Sequence, residues 1–318
     1  IRSEPGLSAP NFTRINMKSV LYTLLALALT VILPQAAHAT HNRAGEIHVR
    51  QIGTLTVEAT IITWTKASST NADRDTLTIC WGDGTCETVW RTNGGGEGQV
   101  LPNDIKYNIY VATHTYAGRA TYKISMTDPN RIVGIINVNP PASENIPFHI
   151  ETTYTFLDAG FKGTNTTPYL LQPPIDNACV GKPFKHNPNA YDPDGDSLSY
   201  QLIVPLQALS SPVPNYSYPS QHPPGPNNFF QINSVTGDVL WLTPQQPGEY
   251  NVAFIIVSWR KGQPIDTTIR DMQIFVDVCD NNPPDVQTVD KYCVVAGTQV
   301  SFTVTATDPD SGNLVRLT

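Results

Sequence analysis

The sequence predicts an all-β protein built as tandem β-sandwich domains behind a cleaved export signal. Three observations carry this expectation. Apolar and polar residues alternate over short runs: Leu55, Val57, Ala59 and Ile61 interleave with Thr54, Thr56, Glu58 and Thr60. A period of two marks a half-buried strand, here read as an outer strand of a sandwich. The 27 prolines and 21 glycines of the 318 residues break such runs at short intervals, and no long helical pattern lies between them. An acidic turn also recurs. AYDPDGDSLSYQL at 190–202 is nearly repeated by ATDPDSGNL at 306–314, about one domain length later, which is the spacing of an array of like modules.

The N-terminus predicts export. Met17 and Lys18 open a basic start, 20–33 is an apolar run ended by Pro34, and Ala37-His38-Ala39 offers a small-residue cleavage site before Thr40. The signal peptide is therefore placed at 17–39, and residues 1–16, upstream of the start, are set aside as not native. The apolar run is short for a membrane span, and none of spanning length follows it. No stable span is expected after cleavage, an uncleaved anchor being the alternative, and the protein is placed at the cell surface or outside the cell. A net charge of −7 with 15 % charged residues leaves no basic stripe for nucleic acid.

Five cysteines in an exported chain favour disulfides. Leu77, Ile79 and Trp81 form one inward set that ends in Trp81-Gly82-Asp83-Gly84-Thr85, a strong hairpin signal. With a three-residue loop 82–84 and Gly84 left-handed, Cys80 and Cys86 face each other at bonding distance. A two-residue turn would offset them and leave both free. Asn93–Gly98 lacks the Lys-Ser/Thr of a phosphate loop and is read as a flexible loop. Segments 132–138 and 148–156 are expected as the closing strands of a first domain, 40–157, followed by a Pro/Gly-rich linker, 158–175.

WGDGT, followed by His114-Thr115-Tyr116, Gly118 and the strand Tyr122, Ile124, Met126, resembles the PKD-domain signature of an immunoglobulin-like sandwich. The bracketing cysteines and the insertion 91–111 depart from that pattern. The resemblance implies that Trp81, Gly82, Asp83, Gly84, His114 and Tyr116 are structural turn and corner residues rather than a catalytic pair.

A second domain is placed at 176–280. Its first and last strands can lie side by side, so a Cys179–Cys279 bridge would clasp its ends; the competing pairing is Cys279–Cys293. If the clasp holds, the partner of Cys293 is missing and is expected beyond Thr318, in a third domain of which 281–318 is the start. AYDPDGDSLSYQL, Thr236-Gly237-Asp238 with Leu240-Trp241, and Pro247-Gly248-Glu249-Tyr250 resemble cadherin-like or immunoglobulin-like modules of bacterial surface proteins. The Pro-rich loop 205–226 carries Tyr216, Tyr218 and His222 and is weighed as a binding loop or a spacer.

Over 40–318, the segments THNRAGEI, DRDTLTICWGDG, NACVGKPFKHNPNAYDPDGDSLSYQL and RDMQIFVDVCDNNPP resemble large exported proteins of the Bacteroidetes type. These are the gliding-motility-associated proteins sorted by a C-terminal domain through type IX secretion. The resemblance implies a non-catalytic surface array serving adhesion, binding or a stalk, with an unknown surface partner, protein or polysaccharide.

Asp192, Asp194 and Asp196 are the best ligand candidates. Alternate carboxylates on a glycine-permitted turn suit calcium, with Asp308 and Asp310 a weaker copy. In cadherin-like modules calcium often binds between domains, which would bring in Asp176 or Asp280. The other reading is a plain acidic turn whose carboxylates cap backbone N–H groups. Calcium is the one cofactor expected. No enzymatic motif is present: the seven histidines are scattered, with no zinc spacing, nucleophile elbow or dinucleotide fingerprint. Two alternatives stay open. One is a carbohydrate-binding accessory region of a secreted hydrolase, using Trp64, Trp90, Trp241 or Trp259 as sugar platforms. The other is a purely structural spacer.

Overall fold

The computed structural model describes residues 42–157, 163–280, 282, 284–289, 293–310, 312 and 315. The expected export segment and residues 1–16 lie outside them. The described chain is all-β. Its first part forms β1 (Asn42–Gln51), β2 (Thr56–Lys66), β3 (Thr76–Cys80), β4 (Cys86–Trp90), β5 (Gln99–Leu101), β6 (Ile105–Thr115), β7 (Thr121–Asp128) and β8 (Phe148–Thr155). Two layers result, in the orders β4-β3-β7-β8 and β1-β2-β6-β5. The inward residues that alternation picks out, Val57, Ala59 and Ile61 on β2 and Leu77 and Ile79 on β3, meet Ile47, Tyr110, Ile124, Phe148 and Ile150 in one core.

The chain continues through β9 (Tyr169–Leu170), β10 (Ile175–Cys179), β11 (Phe184–His186), β12 (Ala190–Tyr191), β13 (Ser197–Ile203), β14 (Leu206–Ala208) and β15 (Ser211–Pro212). It then forms β16 (Phe230–Ile232), β17 (Val239–Trp241), β18 (Gly248–Arg260) and β19 (Gln263–Asp277). Here β13-β18-β19-β10 faces the small sheet β11-β17-β16. Tyr200, Tyr250, Val252, Phe254, Met272, Ile274, Phe184 and Trp241 fill the space between them. Beyond these, β20 (Asp285–Gln287) pairs with β21 (Thr305–Thr307), and Val286, Val295 and Phe302 stand exposed there.

Strand β19 joins the two cores. One edge runs along β18 for its whole length. The other edge takes three partners in turn: Asp266–Thr268 pairs with β8, Asp271 with Gly45 of β1, and Gln273–Asp277 with β10. One continuous sheet of 14 strands therefore passes through both sandwiches. Residues 163–174 lie along this seam. Thr167 Oγ1 accepts the Val49 N–H (2.9 Å), and Pro168 O lies 2.8 Å from His48 Nδ1. Arg270 donates to Gln172 O, and Gln273 N–H donates to Pro174 O (2.9 Å).

Three expectations need correction. Strand β2 is not an outer strand but lies between β1 and β6. β1 itself, which alternation does not reveal, is buried from Asn42 to Val49 although it carries Arg43, Glu46 and His48. Residues 132–138 are not a strand: Gly134 turns the backbone (φ 85°), and Ile132, Ile135 and Val138 instead pack with Ile146 and Val213 in a third small core. Residues 93–98 form a tight turn held by Asn93, whose side chain donates to Tyr107 O (2.9 Å) and accepts from Ile109 N–H (2.9 Å).

Candidate metal site

The acidic turn joins β12 to β13 at the end of the second sandwich. Gly195, left-handed at φ 79°, lets the backbone fold back around Asp192. Asp192 is 7 % exposed, and its Oδ1 accepts the N–H groups of Asp194 (2.9 Å) and Asp196 (3.1 Å). Its other oxygen accepts the Ser258 hydroxyl of β18 (3.3 Å). Burial pushes the Asp192 carboxyl up, and the charges of Asp196 and Asp194 add to the shift. One ligand atom from each of Asp192, Asp194 and Asp196 lies within 4.8 Å of the others, the one such group of three among the described residues. The donors are oxygens only, which suits a hard cation.

Two neighbours engage the same carboxylates. Arg260 holds Asp196 bidentately, from Nε (2.7 Å) and Nη2 (2.6 Å), and lies 3.5 Å from Asp194. Thr166 N–H donates to Asp194 Oδ2 (2.6 Å), and Arg260 Nη1 donates to Thr164 O (3.0 Å). The turn thus both caps backbone N–H groups and clamps the 163–174 segment. Asp176 stands apart from it, bound instead to His186 Nδ1 (3.0 Å) and its own neighbour Asn177 N–H (2.8 Å); Asp280 O accepts Lys182 Nζ (2.7 Å).

The second acidic turn repeats the backbone geometry of the first. Asp308 Oδ1 accepts Asp310 N–H (2.8 Å), as Asp192 accepts Asp194. Asp310 accepts both N–H groups of Asn282, so its oxygens are engaged in tying 282 to 310.

Both disulfides are present. Trp81 N–H donates to Thr85 O (2.9 Å), closing a three-residue loop with Gly84 at φ 93°, and Cys80 opposes Cys86 with Cα atoms 4.0 Å apart. Cys179 and Cys279 are joined at a Cα separation of 5.5 Å, and Cys293 is a free, exposed thiol.

In the WGDG turn, Asp83 Oδ1 accepts the Thr85 hydroxyl (2.6 Å) and N–H (3.0 Å), and Oδ2 bonds His114 Nε2 (2.7 Å). Partial desolvation opposes ionisation, yet the Thr85 and His114 hydrogen bonds hold the Asp83 carboxyl at about 2. His114 stacks on Trp81 at 4.8 Å, and the Tyr116 hydroxyl donates to Trp81 O (2.9 Å). Asp83 thereby ties the turn at Thr85 to His114 and braces the corner. Gly82 is required there, since a Cβ would come within 2.6 Å of Lys123 O.

The other named aromatic groups are largely spent on the scaffold. Trp64 and Trp241 are buried, Trp259 donates to Ser199 Oγ (2.7 Å), and Trp90 alone of the four is open, at 66 % exposure. The 205–226 loop turns inward: Leu206 pairs with His149, Tyr216 donates to Asn251 O (3.1 Å), and His222 bonds Ser217 (2.5 Å).

Sequence reading does not reach Ser258, Arg260, Asp266 or Asn165, which surround the acidic turn. A signal exists. Tyr250, Val252, Phe254 and Ile256 set the core parity of β18, and Ser258 breaks it; Met272, Ile274 and Val276 set that of β19, and Arg270, Thr268 and Asp266 break it. Polar residues at core positions on paired strands mark a place where the face must supply them with partners, because burying them without any is costly.

No protein-family model and no curated protein matches the chain. Among solved structures, the human desmocollin-1 ectodomain aligns with a TM-score of 0.22 and 12 % identity, over 80 % of this chain and 53 % of that one. The chain thus spans about half of that ectodomain's length, and a likeness this slight assigns it neither a ligand nor a role.

Proposed function

We propose that this chain is a non-catalytic, extracellular region of an exported cell-surface protein, serving as a load-bearing stalk or adhesive segment. The carrying observation is the continuity of the sheet: β19 is shared by both cores, and the Cys179–Cys279 bridge clasps the end of the second. Tension entering at one end is then borne by backbone ladders and a covalent link rather than by a loose linker. Disulfides of this kind persist in oxidising compartments. The histidine–carboxylate pairs Asp83–His114, Asp176–His186, Glu46–His48 and Glu151–His149 are all committed to internal bonding, which supports a role without turnover. The acidic turn would take calcium through Asp192 and Asp194 and stiffen the seam. A link to gliding motility and type IX export extends this reading and rests on the sequence motifs.

The test is made in the cell that expresses the protein. Labelling of intact cells with a membrane-impermeant reagent, followed by N-terminal sequencing, is expected to find the chain labelled and starting at Thr40. A chain protected from the reagent until the cells are lysed overturns the reading.

A further inference from the structure

Behind the acidic turn lies a carboxylate that the fold leaves without a partner. Asp266 of β19 is 2 % exposed, and neither of its oxygens makes a hydrogen bond. It stands directly across the ladder from Ser258, whose hydroxyl is already given to Asp192. The other donor beside it is the Asn165 amide. Asn165 is fully buried, with both its side-chain nitrogen and oxygen unpartnered, and its backbone O accepts the Tyr154 hydroxyl (2.9 Å), so its position is fixed. A buried, unpaired carboxylate is costly and does not persist without compensation. Burial pushes the Asp266 carboxyl up to about 7 despite the nearby Ser258 and Asn165 donors, and the charges of Asp192 and Asp196 add to the rise. Arg260 does not relieve Asp266, because its fork is directed at Asp196 and Thr164. Among the described residues, the carboxyl groups of Asp192, Asp194, Asp196 and Asp266 gather there around the one guanidinium of Arg260.

We propose that Asp266, which stands outside the close group of Asp192, Asp194 and Asp196, is drawn in as the buried anionic ligand of a calcium site completed by Asp192, Asp194 and the Asn165 side-chain oxygen. This rests on the reading of the acidic turn as a metal site. The chemistry favours calcium over its rivals. A set of carboxylates and an amide oxygen on three separate segments is irregular, which calcium tolerates and magnesium, with its strict octahedron, does not. Nitrogen and sulfur ligands that would draw zinc are lacking in the set. The ion would link β19, the β12–β13 turn and the 163–174 segment, the three pieces that meet at the seam.

The experiment uses the disulfide-bonded chain from Thr40 to Thr318, stripped with chelator and titrated calorimetrically with calcium and, separately, with magnesium. The unaltered chain is expected to bind calcium more tightly than magnesium. Asp266→Asn is expected to weaken calcium at least tenfold while melting no lower than the unaltered chain in chelator, because it removes an uncompensated charge. Calcium binding that is unchanged in Asp266→Asn overturns this inference and leaves the metal reading of the turn standing. An absence of calcium binding by the unaltered chain overturns both, and tighter magnesium binding overturns the choice of ion. Should the variant not fold, a crystal of the unaltered chain grown with calcium decides. An Asp266 oxygen about 2.3–2.6 Å from the ion is expected, and an ion that leaves Asp266 outside its shell refutes the assignment.

Discussion

Buried charge is what distinguishes β1 at the scale of single residues. Glu46 is 1 % exposed and Arg270 is fully buried, and they are bonded to each other across the seam. Glu46 also reaches His48 Nε2 (3.0 Å). Beside this pair, Arg131 donates to Asp271 (2.8 Å) and Leu206 O (2.9 Å), with Phe148 packed on its guanidinium at 4.9 Å. Such pairs add little net stability over an apolar core but are costly to break, because the survivor stays charged and buried. Burial alone would raise the Glu46 pKa, yet the Arg270 charge and then the His48 hydrogen bond hold it at about 2. A depressed carboxylate contributes stability that is present above its unfolded value, near 4.5, and is lost as the pH falls toward 2. Glu46→Gln should therefore destabilise the chain by about 3–5 kcal/mol at pH 7. The gap between variant and unaltered chain should stay level above about pH 5 and close between about pH 4.5 and 2. Urea melts across that range check it, and a gap that widens on acidification refutes the pairing. Gly45 belongs to the same seam: a Cβ there would lie 2.9 Å from Ile62 O, so β1 threads a space with no room for a side chain.

Among the elements, the strands that alternation makes readable are those with one polar and one apolar face, such as β2, β3 and β13. β1 escapes because its neighbours on both faces are protein, and its charges find partners as far as 230 positions along the chain. The acidic turn is readable as a turn, from its glycine and alternate aspartates. Its surroundings are not, since Asp266 and Asn165 approach it only through the pairing of β19 and the path of the 163–174 segment. The two disulfides differ in what they close. Cys80–Cys86 spans 6 positions and Cys179–Cys279 spans 100. On the chain-entropy model the short loop is worth about 2 kcal/mol and the long one about 4–5 kcal/mol. Replacing each pair by alanines and comparing urea midpoints should show the larger loss for Cys179 and Cys279. A larger loss for the hairpin staple would contradict the clasp.

Over the whole molecule, the two cores are separate clusters of side chains tied by one backbone. The long hairpin β18–β19 contributes its even face to the second core, and the other edge of β19 holds β8, β1 and β10 in turn. That continuity is the physical content of a load-bearing segment. Pulling single molecules by their ends, with and without reductant, tests it most directly. In oxidising buffer the 100 positions between Cys179 and Cys279 should stay locked, hiding roughly 350 Å of contour length that reductant releases. The rest should yield only at forces that shear β1 and β8 from β19. Stepwise release of the two halves at low force, with the full contour length already free in oxidising buffer, would contradict the account.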